Sequence, residues 1–468
     1  MPDFSVILKS PIVRAIVQDG LLERAFHDSL VPRLLFRSEA VPQEWPGGLG
    51  DSMTFSAPGL MNVSAAPLQP GQDPDVSTYA IEQWTAQIQQ YAGSVDTHMP
   101  TSLVAIANLF LRNAHQLGIQ AGQSLNRVVR NKMFGAALSG WGVVDTAASS
   151  TTSVHVVRLQ GFTRARTPGS ATGSQVQFAT VSANNPLNVT IFDNGAATAN
   201  TVVGFLPDNP GDESGPGTLT LGTSVTSVAA RAYIQASDRS YTVFSGGGNS
   251  VNNVGSNSLP TLADIRSAIA HFWGQNVPTH PDDRFHSHID PVSQAKLYSD
   301  PEFQRLMTAL PDYYVYKQFV LGEMLNTVFL RNSENPLPET VVGGTTASYS
   351  LSDPFPGEVY SNGNASTGIR LHRILFTAYG GIFEYYSNME GLLTEAGVTG
   401  KVGEPQIVNN GIEVFTERVA LILRAPLNRL QDTVSASWKI LADWPVRTDA
   451  STGDASRYKR FSVITHGE

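Results

Sequence analysis

The stretch TSLVAIANLFLRNAHQLGIQAGQSLNRVVRNKMFGA, residues 101–136, is the longest helical pattern in the sequence. Apolar residues recur along it in steps of three and four, which is typical of a helix with one apolar face. Pro100 and Thr101 indicate where this helix starts, and Gly135 indicates where it ends. At a rise of about 1.5 Å per residue, roughly 35 residues make a rod of about 50 Å, several times the average helix length. The apolar stripe comprises Leu103, Ile106, Phe110, Ala114, Leu117, Ala121, Leu125, Val128 and Met133.

A rod of this length with one apolar stripe needs a sheet or another subunit to lie on. A long scaffold helix inside a large globular domain would show the same pattern, so the helix alone does not separate the two. Gly118 and Gly122 fall inside it, and each costs about 1 kcal/mol relative to alanine, which favours a gentle bend there. The opposite face is polar and carries Asn108, Arg112, His115, Gln116, Gln123, Arg127, Arg130 and Lys132.

The composition of the whole chain limits the class of protein. Its 468 residues suffice for two or more domains, and 41 glycines, 28 prolines and only 15% charged residues favour turns and strands. The net charge of −9 argues against a protein that grips nucleic acid, because phosphate binding requires clustered Lys and Arg. The absence of cysteine rules out disulfides and thiolate metal sites. Since no run of 18 or more apolar residues occurs, we expect no membrane span.

The first 45 residues consist of small apolar patches separated by basic residues and prolines. Lys9, Pro11 and Arg14 also spoil the apolar core that a signal peptide requires. Because the patches are too small for a core of their own, we expect residues 1–45 to be an N-terminal arm that packs on another body. A short helix at residues 11–26, docked on its own domain, is the alternative.

Residues 46–100 predict an extended two-stranded loop followed by the start of a larger domain. The first predicted strand is residues 52–56 and the second is residues 77–92, on either side of a polar tip, APLQPGQDPD. The alternation changes phase between Ile81 and Trp84, which indicates a bulge. A two-stranded ribbon is at best marginally stable alone in water, so we expect it to lie across a neighbour. An ordinary surface hairpin is the alternative.

The predicted loop is acidic. Seven carboxylates and no Lys or Arg lie between Arg37 and Arg112. A neighbour that accepts this loop would therefore have to supply basic residues. We predict intersubunit contacts from Asp51, Asp73, Asp75, Glu82 and Trp84 of the loop and from Arg14, Arg24, Arg112, Arg127 and Arg130.

Residues 143–256 are rich in Ser, Thr, Asn, Gly and Ala and poor in charge. Short strand candidates alternate with turn sequences such as NNP, DNG and DNPGDESGPG, which favours a small all-β sandwich or barrel. The flanks DTAASSTTS and SGGGNSVNNVGSNS resemble flexible linkers. We therefore predict an inserted all-β domain over residues 143–256. Its strands are predicted at residues 155–160, 175–181, 187–192, 201–205, 218–221 and 229–235.

Beyond Pro260 the sequence predicts helices and strands in mixed order, which is typical of an α+β domain. Thr261 and Asp264 form a capping box that opens one helix. Asp290 and Asp300, each followed by proline, open two more helices. Further strands are predicted at residues 325–330, 369–376, 414–423, 433–441 and 461–464.

The sequence holds no motif that specifies catalysis: no phosphate loop, no nucleophile elbow and no HExxH. The densest group of metal-ligand residue types includes His286 and His288, which would share one face of a strand. Asp290 of this group is better explained as a helix cap, and PTHPDDR as a turn. Glu323 or Glu384 could pair with a distant Asp as in a glycosidase, but no spacing fixes such a pair. We expect no catalytic residue, no cofactor, no metal and no enzymatic activity. The group comprises His271, His280, Asp282, Asp283, His286, His288 and Asp290.

Three motifs, taken in their order along the chain, are similar to one family. IQQYAGSVDTHMP, residues 88–100, leads into the long helix, which closes with AGQSLNRVVRNKMF. FHSHIDPVSQAKLYSDPEFQ, residues 285–304, resembles a strand–helix segment with paired Asp-Pro helix starts. RAPLNRLQDTVSASWKILAD, residues 424–443, resembles closing strands with a Trp438-Lys439 pair. The chain resembles the Hong Kong 97 capsid fold of tailed bacteriophages and, more narrowly, the major capsid proteins of podoviruses similar to phage N-four.

This resemblance implies an α+β fold with an N-terminal arm, an extended loop, a long spine helix, and peripheral and axial domains. Residues 51–91 would be the extended loop, 101–142 the spine helix of the peripheral domain, 257–420 the axial domain, and 421–468 strands that return to the peripheral domain. The covalent cross-link of some relatives needs a lysine in the extended loop, and this loop has none, so we predict no such cross-link.

The function that the resemblance implies is structural. The protein would assemble with itself as hexamers and pentamers into the icosahedral shell of a virion. The shell would be built in the host cytoplasm and would enclose double-stranded DNA without sequence-specific binding and without a membrane. Decoration or scaffolding proteins could be further partners.

Two other functions fit parts of the sequence. An encapsulin-like compartment of the same fold would enclose cargo proteins instead of DNA. A β-rich protein that binds or hydrolyses carbohydrate would use residues 150–256 and would act as a monomer or small oligomer. The size of the shell, the host and the role of the insertion have no signature in the sequence.

Overall fold

The computed structural model has a few helices and many strands in mixed order, so the predicted α+β class is confirmed. By its internal contacts the chain divides into two units. The domain borders that the resemblance implied stay predictions. The first unit comprises Met1–Phe55, Thr85–Arg130 and Ile382–Pro445, and the second comprises Ser56–Trp84, Asn131–Gly381 and Val446–Glu468. The structure describes residues 35–45, 50, 52–58, 67, 71–73, 81–98, 106–166, 178–193, 195–210, 213–247, 250–309, 322–335, 358–360, 369–387, 406–408, 419–424, 433–447 and 458–467.

Arg14, Arg24 and the alternative helix at residues 11–26 lie outside the described residues.

The helices and strands are numbered in chain order. The helices are α1 (Ile106–Ala137), α2 (Leu262–Gly274), α3 (Pro291–Leu297) and α4 (Pro301–Ala309), with 3₁₀ turns at Arg37–Glu39 and Val251–Asn253. The strands are β1 (Val41–Glu44), β2 (Ser52–Pro58), β3 (Ile81–Gln87), β4 (Gln89–His98), β5 (Trp141–Val143), β6 (Ala148–Val156), β7 (Arg164–Arg166), β8 (Phe178–Thr180), β9 (Leu187–Asp193), β10 (Ala196–Pro207), β11 (Gly217–Val228), β12 (Tyr233–Ala236), β13 (Thr242–Phe244), β14 (Phe285–Ile289), β15 (Glu323–Met324), β16 (Thr327–Arg331), β17 (Glu358–Tyr360), β18 (Ile369–Thr377), β19 (Phe383–Tyr386), β20 (Gln406–Val408), β21 (Ala420–Arg424), β22 (Thr433–Asp443) and β23 (Phe461–Gly467).

The long helix predicted from the apolar stripe is α1. It is described from Ile106 onward, so the predicted start at Thr101 lies outside the described residues. In the part of the stripe whose side chains are described, Leu117, Leu125 and Met133 are fully buried. The periodicity of the apolar residues was therefore a correct signal for both the helix and its buried face.

The end of α1 differs from the prediction, because the helix continues past Gly135 to Ala137. Gly135 lies inside the helix, where the Gln160 carboxamide occupies the space that a Cβ would need. The carbonyl oxygen of Ala137 accepts a hydrogen bond of 2.5 Å from the Ser240 hydroxyl. Close packing, and not helix termination, thus explains this glycine.

The first and third capsid-like motifs meet in the sheet of the first unit. This sheet has the strand order β1-β19-β22-β21-β20, and β4 also pairs with β22. Residues 89–98 of β4 pair antiparallel with residues 433–442 of β22. Gly93 lies opposite Trp438, and a Cβ at residue 93 would approach the indole Nε1 to 2.6 Å. A residue without a side chain therefore sits against the largest one, which fixes the register of the ladder.

The second strand of the predicted loop, residues 77–92, is two strands in the structure. The interruption falls at Ile88, between β3 and β4. At Ile88 the chain stops pairing with β2 and begins to pair with β22. The change of partner therefore explains why the predicted strand is two strands, and the bulge between Ile81 and Trp84 stays a prediction.

The last residues of the predicted arm lie in the first unit. Phe36 and Arg37 are fully buried, and β1 pairs in parallel with β19. The Phe36 backbone N–H donates to Asn126 Oδ1 of α1 at 2.7 Å. Arg37 forms a bidentate ion pair with Glu384, with Nε at 3.0 Å and Nη2 at 2.5 Å from the two carboxylate oxygens. These contacts join the start of the described chain to α1 and β19.

The inserted all-β domain is a six-stranded antiparallel barrel with the strand order β5-β12-β9-β10-β11-β6. Its two outer strands also meet, because Val144 bridges Val156 and backbone hydrogen bonds of 3.0 and 3.1 Å flank this bridge. The sequence left a sandwich and a barrel open, and this closure decides for the barrel. Its interior includes Val154, Leu159, Phe162, Leu187, Val189, Ile191, Val202, Leu219, Leu221, Val225 and Ile234.

The polar flanks of the barrel are not linkers, so this prediction was wrong. Most of DTAASSTTS is strand β6, and SGGGNSVNNVGSNS contains a 3₁₀ turn whose Val251 and the following Val254 are fully buried. The Ser245 backbone N–H donates to Thr465 O at 3.0 Å. Hydroxyl side chains suit the exposed face of a strand as well as a coil, so composition alone could not separate the two.

We expect Gly161→Ala to destabilise the barrel by about 3 kcal/mol, because left-handed strain costs about 1–2 and overpacking about 1–3 kcal/mol. Gly161 has a φ of +85°, and a Cβ there would overlap the backbone nitrogen of Gly140. Gly195 is a matched control, since its φ is +82° but the space around its Cβ position is open. Gly195→Ala should cost only about 1 kcal/mol. Urea unfolding of both variants measures the difference, and equal losses would contradict the packing argument.

The second sheet of the second unit has the order β13-β23-β18-β14-β16-β15, with β17 paired to β18. Helices α2, α3 and α4, which belong to the same unit, start where the sequence predicts. The Thr261 side chain accepts from Asp264 N–H and the Asp264 carboxylate accepts from Thr261 N–H, which completes the capping box of α2. Asp290 and Asp300 accept hydrogen bonds from the first turns of α3 and α4. Among the described residues, no helix has both the length and the apolar character needed to cross a membrane.

Trp141 connects the barrel with the second sheet inside the second unit. Its indole Nε1 donates to Ser240 O at 3.2 Å, and its ring lies 5.8 Å from that of Tyr233 and 5.2 Å from that of Phe244. The Tyr233 hydroxyl accepts from Arg373 Nη2 of β18 at 3.2 Å. The barrel is therefore fastened to the sheet by buried aromatic and polar contacts.

Candidate assembly interface

Strands β2 and β3 form a two-stranded sheet, the β2–β3 ribbon, that pairs with no other described strand. Along β2, Ser52, Thr54 and Ser56 are exposed, whereas Met53 and Phe55 are half-buried. This alternation matches a ribbon with one face against the protein and one face toward solvent. Since a two-stranded ribbon is marginally stable alone, it needs an anchor at its base and a partner along its length.

An aromatic cluster in the first unit supplies the anchor. The ring of Phe55 stacks on that of Tyr385 with centroids 4.2 Å apart and planes at 16°. Trp45 meets both rings edge-on, at 6.4 Å from Phe55 and 6.2 Å from Tyr385. Ala86 of β3 is fully buried in the same cluster. These contacts fix the base of the ribbon to β19.

Two of the predicted acidic contact residues lie in the described part of the loop. Glu82 is on β3, and Asp73 is exposed between the two strands. Asp51 and Asp75 lie outside the described residues. No Lys or Arg occurs from residue 38 to residue 111, so nothing in this segment neutralises these carboxylates.

Trp84, the remaining predicted contact residue of the loop, packs within its own chain. It is half-buried, and the guanidinium carbon of Arg447 lies 5.7 Å from the centroid of its ring. This is the distance of a cation–π contact. A role of Trp84 between subunits stays a prediction.

All charged residues of helix α1 are basic. No Asp or Glu lies between Asp96 and Asp145. Arg112 and Arg127 are exposed, and their separation of 15 positions corresponds to about 22 Å along the helix axis. The exposed side of α1 is therefore an elongated basic surface.

The buried face of α1 widens toward its C-terminal half. Asn126, Val129, Arg130 and Met133 are all nearly or fully buried, and Arg130 is 3% exposed. Because its guanidinium is covered within its own chain, Arg130 cannot form the predicted contact between subunits. Lys132 is exposed in its place. Lys132 belongs to the predicted polar face but was not among the predicted contact residues, although its charge was the signal that could have found it.

Polar contacts with β4 set the orientation of α1. Asn113 Nδ2 donates to Thr97 Oγ1 at 2.7 Å. Further along the helix, Gln120 Oε1 lies 3.1 Å from the position of a Cβ on Gly93. The side of α1 that carries these residues is thus held against β4, and Asn126 is held by the Phe36 backbone.

Tyr91 of β4 adds no charge near the base of the ribbon. Its ring lies 5.5 Å from that of Trp444, and its hydroxyl donates to Gln89 Oε1 at 3.1 Å. Burial and, to a smaller extent, the Asp443 carboxylate raise the pKa of Tyr91 to about 12. The phenol therefore stays neutral over the whole physiological pH range.

The histidines and aspartates that were considered as metal ligands lie in the second unit, where several of them contact one another or the backbone. His286 Nε2 lies 3.1 Å from an Asp282 carboxylate oxygen, and its ring stacks on that of His280 at 4.0 Å. His288 is fully buried two positions further along β14. The prediction that Asp290 is a helix cap is confirmed, since it accepts from a backbone N–H of α3.

The two carboxylates considered for glycoside hydrolysis are both in ion pairs. Glu384 is fully buried against Arg37, so its carboxylate cannot reach a substrate. Glu323 is exposed and pairs with Arg284. A hydrolytic pair requires two carboxyl groups on either side of a bound sugar, and Glu384 does not meet this requirement.

The chain is similar to solved structures at low sequence identity. No family model matches the chain, and no curated protein matches it. The capsid of Ralstonia phage GP4 is 11% identical, with a TM-score of 0.47 over 93% of this chain and 91% of that chain. The cyanophage Pam1 capsid is 11% identical, with a TM-score of 0.46 over 94% and 92%. The capsid of Helicobacter pylori bacteriophage KHP30 is 8% identical, with a TM-score of 0.44 over 92% and 91%.

The solved structures that this chain resembles are bacteriophage capsids. The narrower likeness to phages similar to phage N-four, which the sequence motifs indicated, stays a prediction. At such low identity a likeness concerns the fold and not the chemistry of a surface. The charges and contacts of this chain must therefore carry the functional proposal.

Proposed function

We propose that the protein is a structural subunit that assembles with copies of itself, as hexamers and pentamers, into the icosahedral shell of a tailed bacteriophage. The observation that carries this proposal is a separation of charge along the chain. Residues 38–96 contain seven carboxylates and no Lys or Arg, whereas residues 97–144 contain four Lys or Arg and no carboxylate. The first segment includes the β2–β3 ribbon, and the second includes α1.

An acidic ribbon and a basic helix on the same chain are complementary, so the ribbon of one copy can lie on α1 of the next. Each copy then offers one surface and accepts a different one. Contacts of this head-to-tail kind generate rings when the rotation between copies closes. The neighbour also supplies the partner that a marginally stable ribbon lacks.

The sequence motifs indicate which assembly this is. The motifs at residues 88–100 and 424–443, which resemble capsid proteins, form the ladder of β4 and β22. This ladder follows the ribbon directly along the chain, and β4 contacts α1 through Asn113. Two of the three motifs that carry the resemblance thus support both halves of the proposed contact.

The charge of the protein suits a container for DNA. A net charge of −9 gives little affinity for phosphates, so enclosed DNA would remain unbound and able to leave. In this proposal the shell forms in the host cytoplasm and becomes part of the virion. Scaffolding or decoration proteins would act on the outer or inner surface of the shell and not in the contact between ribbon and helix.

Electron microscopy and sedimentation velocity of the concentrated, purified protein test the proposal. We expect closed icosahedral shells with pentamers at the five-fold vertices and hexamers between them, together with ring-shaped intermediates. A chain that remains monomeric under all conditions that favour association would refute the proposal. Particles with protein cargo and without nuclease-protected DNA, isolated from the natural source, would favour the encapsulin-like alternative.

Assembly is expected to weaken as salt is added. The contact depends on exposed charges, whose reach falls from about 10 Å at about 0.1 M salt to about 3 Å at about 1 M. Sedimentation velocity at these two salt concentrations measures the fraction of assembled protein. An assembled fraction that does not change with salt would show that apolar contacts, and not the ribbon and helix charges, hold the copies together.

A further inference from the structure

A buried polar cluster joins α3, β18 and β23 in the second unit. Its members, Asp290, Ser293, His372 and His466, are each 3% exposed or less. Asp290 Oδ2 accepts a hydrogen bond from His372 Nδ1 at 3.1 Å. Ser293 Oγ lies 2.7 Å from His466 Nε2 and also contacts Asp290 Oδ1. The cap of a helix is therefore shared with two strands, and this cluster has no part in the proposed contact between copies.

The number of protons determines which groups donate. An ionised carboxylate can only accept, so Ser293 Oγ and His372 Nδ1 both donate to Asp290. The Ser293 hydroxyl has a single proton, which it uses in the hydrogen bond that it donates to Asp290. His466 Nε2–H must then donate to Ser293 Oγ. Each member thus fixes the protonation of the next, from β18 through α3 to β23.

Lys296 and the His372 ring both lie close to His466. Lys296 Nζ donates to Gly467 O at 2.8 Å, and the His372 ring stacks on that of His466 at 5.4 Å and 14°. Burial, followed by His372 and Lys296, lowers the pKa of His466 to about 4, although Asp290 acts in the opposite direction. A second proton on His466 is therefore unfavourable in the folded chain.

The other elements that pack against β18 and β23 complete the charge environment. Strand β13, which pairs with β23, carries no titratable group. Residues 250–258, of which Gly255 packs against Gly467, also carry none. The remaining ionisable residues of these neighbours are Asp264, Arg266 and His271 of α2, His286 and His288 of β14, Glu358 and Tyr360 of β17, and Arg370 and Arg373 of β18 itself.

We propose that Asp290, Ser293, His372 and His466 form an acid-sensitive latch, which fastens β23 to α3 and β18 at neutral pH and releases it in acid. The latch lies wholly within one chain, so it operates whether or not the copies assemble. Its failure and the failure of the proposed assembly are therefore separate outcomes.

The direction of the pH effect follows from both acidic and basic members. His466 has a pKa of about 4 when folded and 6.5 when unfolded, so its contribution is complete above pH 6.5 and is lost as the pH falls toward 4. Burial alone would raise the pKa of Asp290, but the hydrogen bonds from His372 and Ser293 lower it below 3.8. Its contribution is therefore lost only in stronger acid. Both groups therefore make the folded chain less stable as the pH falls.

Urea unfolding of the full chain, at several pH values between about 7 and 4.5, tests the latch. Each unit of pH below about 6.5 is expected to raise the unfolding equilibrium constant up to about tenfold, as one proton per chain requires. His466→Gln keeps an N–H donor for Ser293 but cannot titrate, so it should flatten this dependence. His115→Gln, at an exposed position on α1, is the matched control and should keep the dependence of the unaltered chain.

Histidine-ring NMR of the unaltered protein, labelled with ¹³C at Cε1, decides the outcome even if His466→Gln fails to fold. The His466 ring is expected to stay neutral until the chain unfolds. Titration of this ring near its ordinary value of 6.5 in the folded chain would overturn the proposal. An unchanged pH dependence in folded His466→Gln would overturn it as well.

Discussion

Assembly is expected to be lost when the basic surface of α1 is reversed by Arg112→Glu together with Arg127→Glu. Both side chains are exposed, so the chain should still fold. Each reversed residue replaces an attraction to the acidic ribbon of the next copy by a repulsion. A loss of about 2 kcal/mol per contact weakens association about thirtyfold, and a ring repeats this loss at every contact. Electron microscopy and sedimentation velocity measure the loss, and circular dichroism shows whether the fold is retained.

A control of equal charge separates a local effect from net charge. Arg266→Glu together with Arg305→Glu changes the net charge by the same amount at exposed positions on α2 and α4. This variant should assemble like the unaltered protein, because exposed ion pairs contribute little to stability. Equal loss of assembly in both variants would show that total charge, and not α1, is responsible.

Reversal of the ribbon offers a sharper test. Asp73→Lys together with Glu82→Lys should abolish assembly, and the same changes added to the reversed helix should restore closed shells. A mixture of the two singly reversed proteins forms correct contacts only where they alternate. Alternation closes around a six-membered ring but leaves one mismatch in a five-membered ring, so this mixture should give hexamers without closed shells. Shells from the mixture, or no rescue in the doubly reversed chain, would contradict the contact between ribbon and helix.

The second large effect is expected in stability, from the buried ion pair of Arg37 and Glu384. Both side chains are fully buried and their contact is bidentate. Arg37→Met leaves the Glu384 carboxylate without its partner in the interior, which typically costs about 3–5 kcal/mol. Urea unfolding at neutral pH, followed by tryptophan fluorescence, measures the loss. The transition should move to lower urea without a change in the charge surface of α1.

Two further variants separate the charge from the packing. Arg37→Met together with Glu384→Met removes both charges, and it should be more stable than Arg37→Met alone, since no ion remains buried. Arg284→Met breaks the exposed pair with Glu323 and should cost less than about 1 kcal/mol. A double variant less stable than Arg37→Met would show that the two side chains act through shape and not through charge.

Local sequence patterns predicted the parts of this fold that depend on residues a few positions apart. The apolar stripe predicted α1, and the capping box of Thr261 and Asp264 predicted α2. Asp290 was recognised as a cap because its hydrogen bond reaches only three residues along the chain. The latch was not recognised, since its other members, His372 and His466, lie 82 and 173 positions from their partners on α3.

The proposed contact between copies also depends partly on local charge and partly on contacts between distant residues. The exposed Arg112 and Arg127 and the acidic loop could be selected from charge alone. The burial of Arg130 could not be predicted, because it depends on which elements cover the second half of α1 and not on the helical period. The flank of the barrel was misjudged for a related reason, since Ser and Thr suit both an exposed strand and a linker.

The order of residues thus establishes the long helix, the helix starts, the β-rich insertion and the opposite charges of ribbon and helix, because periodicity, capping and charge act over a few neighbouring positions. Folding in three dimensions settles the rest. It pairs β4 with β22, closes the barrel between Val144 and Val156, and buries Arg37 against Glu384. Such contacts depend on matched shape and charge between residues that are distant along the chain, and no short pattern in the sequence records that match.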